Sequence, residues 1–283
     1  MAIIVAVRSG NWSDTSHVTG PWPGGSTPTT KPGVGDTVQT GGHIITIDED
    51  VHVVGLQKTG NGGFYVEAVD GDALEIIAQV QNLYEAPAGS SGTALQINGE
   101  IEEKFIDIIG DVSAGAGFAA TGIESYGSAL RSITGNIGGG SNSGCGVMGS
   151  VYSVTGNVVG GGVGSHGING FVTYIYGDVS AGNGSYGVYS PSGSVTVDGS
   201  LICGPNGQPP IYGPFRLVAN PANAIVVRTP DGEPWTLSND YPAEADVKSG
   251  VEYNRGTMTG ELAAGGNIGP VSIVIGGGGV RIS

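Results

Sequence analysis

The stretches LRSITGNI (Leu130–Ile137) and VYSVTGNV (Val151–Val158) decide the fold. Each runs apolar, two variable positions, apolar, then T-G-N and a β-branched residue. FIDIIGDV (Phe105–Val112), VTYIYGDV (Val172–Val179) and SVTVDGSL (Ser194–Leu201) align with them without gaps and put glycine at Gly110, Gly135, Gly156, Gly177 and Gly199. Between the copies runs a second motif, a glycine followed by an aliphatic residue: Gly122-Ile123, Gly146-Val147, Gly167-Ile168 and Gly187-Val188. A period of 21 to 25 residues holding two short strands and glycine corners predicts an all-β chain wound as a β-solenoid. One such unit cannot bury its apolar face alone, whereas stacked units align those faces into one core. A leucine-rich repeat would need a leucine consensus, and a propeller blade about twice the length.

Composition agrees. Glycine makes up 55 of 283 residues, and only 12% of the chain is charged. Each interior glycine costs a helix roughly 1 kcal/mol relative to alanine. Apolar residues at 39% are too many for a disordered linker, and collagen's G-X-Y period is missing. The net charge of −15 argues against a nucleic-acid partner, because phosphate contacts need Lys and Arg. The opening MAIIVAV is too short for a membrane span or signal peptide and reads as a first strand, so no membrane association and no standard secretory route are expected. Cys145 and Cys203 sit in no CxxC spacing and read as buried free thiols, ahead of a disulfide or a reactive site.

The rungs define three regions: a cap or attachment segment over 1–55, the solenoid over 56–203, and a C-terminal β module over 204–283 for oligomerisation or attachment. ALQINGEI (Ala94–Ile101) carries a weaker copy of the phrase, YEAPAGSSG (Tyr84–Gly92) reads as a loop, and the prolines of GPNGQPPIYGP (Gly204–Pro214) mark the end of the stack. In the N-terminal segment, Trp12 near the start is followed by a Pro/Gly-rich excursion that contains Trp22. PGVGDTV (Pro32–Val38) and the alternating HIITIDEDVHVVGL (His43–Leu56) follow. The tryptophans are expected to cover the open end of the first coil.

That N-terminal pattern resembles the cap of right-handed β-helix proteins, bacteriophage virion proteins and carbohydrate-associated domains in particular. YPAEADVKSGVEYNRGTMTGEL (Tyr241–Leu262), with A-D-V-x-x-G-V-x-Y-x-x-G, resembles a short module near the carboxy ends of phage structural proteins. The resemblance implies a right-handed parallel β-helix in a virion surface protein: a capsid-decorating head fibre or a tail fibre made in the host cytoplasm. It further implies a homotrimer in contact with other virion proteins and with host-surface glycan, giving bracing, adhesion or both.

The residues offer little catalytic chemistry. A glycan hydrolase needs two carboxyls about 5 to 9.5 Å apart. Asp111 and Asp178 occupy equivalent positions three rungs apart, roughly 14 Å at the strand spacing. With Asn136 and Asn157 between them, they read as a structural ladder of stacked polar side chains at a corner. Glu124 and Asp198 sit in different parts of the rung, so a tailspike-like depolymerase with a site between subunits is the alternative. Between Phe105 and Phe215 the only Lys or Arg is Arg131, which suits lyase chemistry poorly. Ser165-His166 lies on a glycine corner without a G-x-S-x-G context and reads as a turn. His43 and His52 flank Asp48-Glu49-Asp50, a set that could hold a metal and equally suits an exposed acidic strand. The glycine runs have no helix and no Lys-Ser/Thr after them, so they form no phosphate cradle, and no cofactor is expected. Tyr152, Tyr174, Tyr176, Tyr186 and Tyr189 fall in adjacent rungs, where they would bind sugar, touch a neighbouring subunit or pack within the stack.

Overall fold

The computed structural model describes residues 2–24, 30–66, 74–84, 92–97, 105–127 and 130–218, together with short strands beyond them. It is an all-β solenoid, with no helix among the described residues. Each coil presents three strand faces. Face 1 comprises Ile106–Ile109, Leu130–Thr134, Val151–Thr155, Val172–Tyr176, Val195–Asp198 and Phe215–Leu217, each paired in parallel with the next. Face 2 holds Val112–Ser113, Ile137–Gly138, Val158–Val159, Val179–Ser180 and Leu201–Ile202, also parallel. Face 3 is a separate parallel sheet through Ala120–Ser125, Val147–Gly149, Ile168–Asn169, Val188–Tyr189 and Ile211–Tyr212.

The repeated phrase is the corner between faces 1 and 2. Its apolar positions form inward columns that exclude solvent: Ile133, Val154, Ile175 and Val197 on face 1, Ile137, Val158, Val179 and Leu201 on face 2. Ile123, Val147, Ile168 and Val188 close the core from face 3. β-Branched side chains suit a buried parallel sheet, and each full burial is worth roughly 1.5–3 kcal/mol. At the corner the chain turns through glycine at φ +144° for Gly156 and +156° for Gly135. A Cβ on Gly156 would stand 2.2 Å from the Gly135 carbonyl oxygen, so consecutive corners nest only without side chains.

The parallel ladders run past both boundaries drawn from the sequence. Ile3–Val5 pairs with Thr37–Gln39, which pairs with Gly55–Gln57 of Val51–Lys58. Gly10–Asn11 starts the face 3 sheet against Ile45–Thr46. Trp12 and Trp22, both buried, pack edge-to-face at 4.8 Å at this first coil, and the Trp22 indole N–H donates to the Trp12 carbonyl at 2.9 Å. At the other end Ile225–Val226 still pairs in parallel with Leu201–Ile202. Ala224–Arg228 then turns antiparallel against Pro234–Ser238, and Ile273–Gly276 forms a hairpin with Gly279–Ile282. Most of Tyr241–Leu262 and of the Tyr84–Gly92 loop lies outside the described residues.

Two readings of the repeat are corrected. The strand within ALQINGEI, Gly92–Ile97, belongs to face 3 between Gly63–Val66 and Ala120–Ser125, so it does not copy the face 1 phrase. The gapless alignment also fails at the first and last copies. Leu130 pairs with Ile106 and Ser132 with Asp107, leaving Arg131 unopposed as a bulge. Ile106 takes the inward place that the alignment gave to Phe105, whose ring is exposed. Tyr152 and Thr173 hold the equivalent position in the next two rungs, which pair with each other in register, Val151 and Ser153 facing Val172 and Tyr174. Thr196, facing Tyr174, follows the inward Val195 directly, and that rung has no extra residue. Three consecutive rungs thus carry two residues between their inward positions, where the rung on either side carries one. The sequence signature is the spacing of inward residues: apolar-x-x-apolar in those three rungs, apolar-x-apolar in Ile106–Ile108 and Val195–Val197.

Candidate functional site

A groove lies on the outside of face 1, along the three rungs that carry the extra residue. Its volume is about 560 Å³, and it is lined by Phe105, Leu130, Arg131, Ser150, Val151, Tyr152, Phe171 and Thr173. A bulge re-aims its side chain, and Arg131, the bulged residue, lines the groove together with Tyr152 and Thr173 at the equivalent positions of the next two rungs. Phe105, Tyr152 and Phe171 are each about half exposed. Phe171 lies against the next coil, because a Cβ on Gly193 would come within 2.7 Å of its ring.

Arg131 is fixed by two partners. Its Nε donates to Asp107 Oδ1 at 2.9 Å, its Nη2 pairs with Asp107 Oδ2, and its guanidinium carbon lies 5.3 Å from the centre of the Phe105 ring. Such a two-pronged guanidinium–carboxylate pair is geometrically specific. The Ser132 hydroxyl donates to the same carboxylate at 2.5 Å. The Arg131 hydrogen bonds hold the Asp107 carboxyl below the usual carboxylate range.

The five tyrosines divide between two faces. On face 1 Tyr152 meets Tyr174 edge-on at 5.6 Å, and Tyr174 lies nearly parallel to Tyr176 at 6.3 Å. These rings continue outward from the groove. On face 3 Tyr186 and Tyr189 join His166 and Tyr212: His166 stacks on Tyr189 at 5.1 Å and Tyr189 on Tyr212 at 4.8 Å. The Tyr186 N–H donates to His166 Nδ1 at 3.2 Å, and burial lowers the His166 pKa. His166 is thus a member of an aromatic column. Its neighbour Ser165 is fully buried, with no hydrogen-bond partner for its hydroxyl among the described residues. Nothing pairs the two as nucleophile and base.

Asp111, Asn136, Asn157 and Asp178 form one continuous ladder. Asp111 Oδ1 accepts from the Asn136 N–H at 2.7 Å, Asn136 Oδ1 from the Asn157 N–H at 3.1 Å, and Asn157 Oδ1 from the Asp178 N–H at 2.9 Å. Asp178 Oδ1 continues it to the Ser200 N–H at 2.7 Å. The repeating link is therefore side-chain oxygen to next-rung backbone, and the Asn136 side-chain amide also donates to Asp111 at 3.1 Å. Amide-on-amide stacking occurs elsewhere, in Gln39, Gln57 and Gln81, whose side chains bond in series at 3.0 and 2.9 Å.

Glu124 accepts from the Thr93 hydroxyl at 2.9 Å and from the Tyr126 hydroxyl. Asp48 accepts from the backbone and hydroxyl of Ser13, Asp50 from the Glu75 N–H, and Glu49 pairs with Lys31. No group of three or more His, Cys, Asp or Glu side chains suited to a metal occurs among the described residues, so His43 and His52 join no such site. Cys145 and Cys203 are buried free thiols whose pKa values burial raises.

Phe105, Arg131, Asp107 and Phe171 were not legible as residues at the groove, nor Tyr212 as a member of the face 3 aromatic column away from it. The gapless alignment placed Phe105 in the core and hid the bulge, and Tyr212 lies in the proline-rich stretch read as the end of the stack. Comparison with known protein families, curated proteins and solved structures finds no match to this chain.

Proposed function

We propose that the chain is a non-enzymatic bacteriophage virion surface protein, a solenoid fibre or capsid-decorating protein that braces the particle and presents an adhesive face. The virion assignment and the homotrimer rest on the resemblance of the two flanks. The non-enzymatic reading rests on one observation: the groove lining contains no carboxylate. The nearby Asp107 is engaged by Arg131 and Ser132, and Asp111, Glu124 and Asp178 are held in structural bonds. A hydrolase would need two carboxyls bracketing the bond to be cut.

Immunogold microscopy of the source particles with antibody against this chain tests the assignment. Label over the head or along the tail supports it, and unlabelled particles refute it. Loss of host capsule on incubation with the pure protein would replace the non-enzymatic reading with depolymerase action at a site between subunits.

A further inference from the structure

The groove's dimensions follow from the solenoid. Arg131, Tyr152 and Thr173 succeed one another at the rung spacing of ~4.8 Å, a row about 10 Å long parallel to the axis. Its walls carry apolar ring faces, and its polar groups are hydroxyls and one guanidinium already oriented by Asp107. A mostly apolar concavity with a few fixed polar groups is the usual form of a small-molecule site. Aromatic faces attract the electropositive C–H faces of pyranose rings through their quadrupole. Ser150, Thr173 and the Tyr152 hydroxyl can exchange hydrogen bonds with sugar hydroxyls.

The charge pattern narrows the ligand. Arg131 is the only Lys or Arg from Phe105 to Phe215, and Asp107 neutralises it, on a chain of net charge −15. A polyanionic chain would meet no uncompensated cation here. A lengthwise seam with a second copy fits less well, because the widened rungs are only three, Leu130–Thr134, Val151–Thr155 and Val172–Tyr176, and the rung on either side lacks the extra residue.

We propose that this groove binds a neutral glycan chain laid along the solenoid axis, with Tyr152 and Phe171 as stacking platforms and Arg131 as an oriented donor. This deepens the adhesive reading given above and rests on it.

The test is binding of the full chain to a printed array of neutral and uronate- or sialate-containing oligosaccharides. The expected result is retention on neutral glycans, weakened at least about tenfold by the double substitution Tyr152→Ala/Phe171→Ala. Thr173→Trp, which fills the groove without removing a packed ring, should give the same loss. Tyr212→Ala on face 3 should leave retention unchanged. No retention on neutral glycans, preference for acidic ones, or retention indifferent to both groove variants overturns the proposal. So does a change in oligomeric state of the groove variants, which would make the hollow a subunit seam. Gold-labelled particles with a silent array would remove the groove proposal alone. A positive array with unlabelled particles would remove the virion assignment alone.

Discussion

Replacing Gly156 by alanine adds one methyl group at the tightest point of the corner. The new Cβ would sit 2.2 Å from the Gly135 carbonyl oxygen and 2.6 Å from its carbon, at a φ of +144°. Holding a non-glycine residue in such a conformation costs of order 1–3 kcal/mol. Relief of the clash must push the two rungs apart, which strains the Gly135 N–H bond to the Thr155 carbonyl (2.9 Å) and the Asn157 N–H bond to Asn136 (3.1 Å). Each is worth about 1 kcal/mol, for a total of roughly 3–5 kcal/mol. In a protein of this size that is a fall in Tm of about 10 °C. Gly138→Ala is the control, since nothing lies within 4 Å of its Cβ position. Thermal melts followed by circular dichroism should separate the two variants. A Gly156→Ala melt that overlays wild type, or a Gly138→Ala melt that falls equally far, would refute the stacked-corner reasoning.

Two further outcomes follow from the same geometry. Asn136→Asp removes the amide donor to Asp111 and sets two carboxylates on adjacent rungs, costing about 1 kcal/mol at neutral pH. Repulsion raises the folded-state pKa of the pair, so stability falls as pH rises through it and recovers on acidification; a pH profile identical to wild type would refute this. Lys58 is buried, its ammonium donating to the Gly62 carbonyl, and desolvation lowers its pKa from 10.5. The unfolded chain therefore holds the extra proton between the folded pKa and 10.5, and wild-type stability rises with pH across that window. Lys58→Met should lose this slope in denaturant titrations at several pH values, and parallel profiles would count against it.

The coils legible in the sequence are those where one glycine makes the corner. From Gly110 to Gly199 that glycine is forced by rung-on-rung contact, so it recurs and can be counted. Earlier coils turn the same corner within the long strands Val51–Lys58 and Leu74–Asn82, through Gly55 and through Ala78-Gln79, and so leave no phrase. The Asp/Asn column was legible because every member meets the same backbone N–H of the next rung. The groove was not, because it arises from one added residue per rung, and a fixed-length alignment absorbs that residue into the core. The tyrosines were visible as a group, but their division between faces 1 and 3 depends on which strand carries each one.

The Asn ladder also bears on how the protein ages. Asparagine decays when the following backbone nitrogen attacks its side-chain carbonyl and closes a succinimide ring. In this stack the Ile137 nitrogen is committed to the Asn157 carbonyl and the Val158 nitrogen to the Asp178 carbonyl, both at 2.8 Å. The side-chain oxygens of Asn136 and Asn157 are meanwhile held by the next rung, turned away from those nitrogens. The bonds that align the coils therefore also block the route by which asparagine acquires charge. The two amides so protected stay neutral between Asp111 and Asp178, and the ladder keeps its spacing.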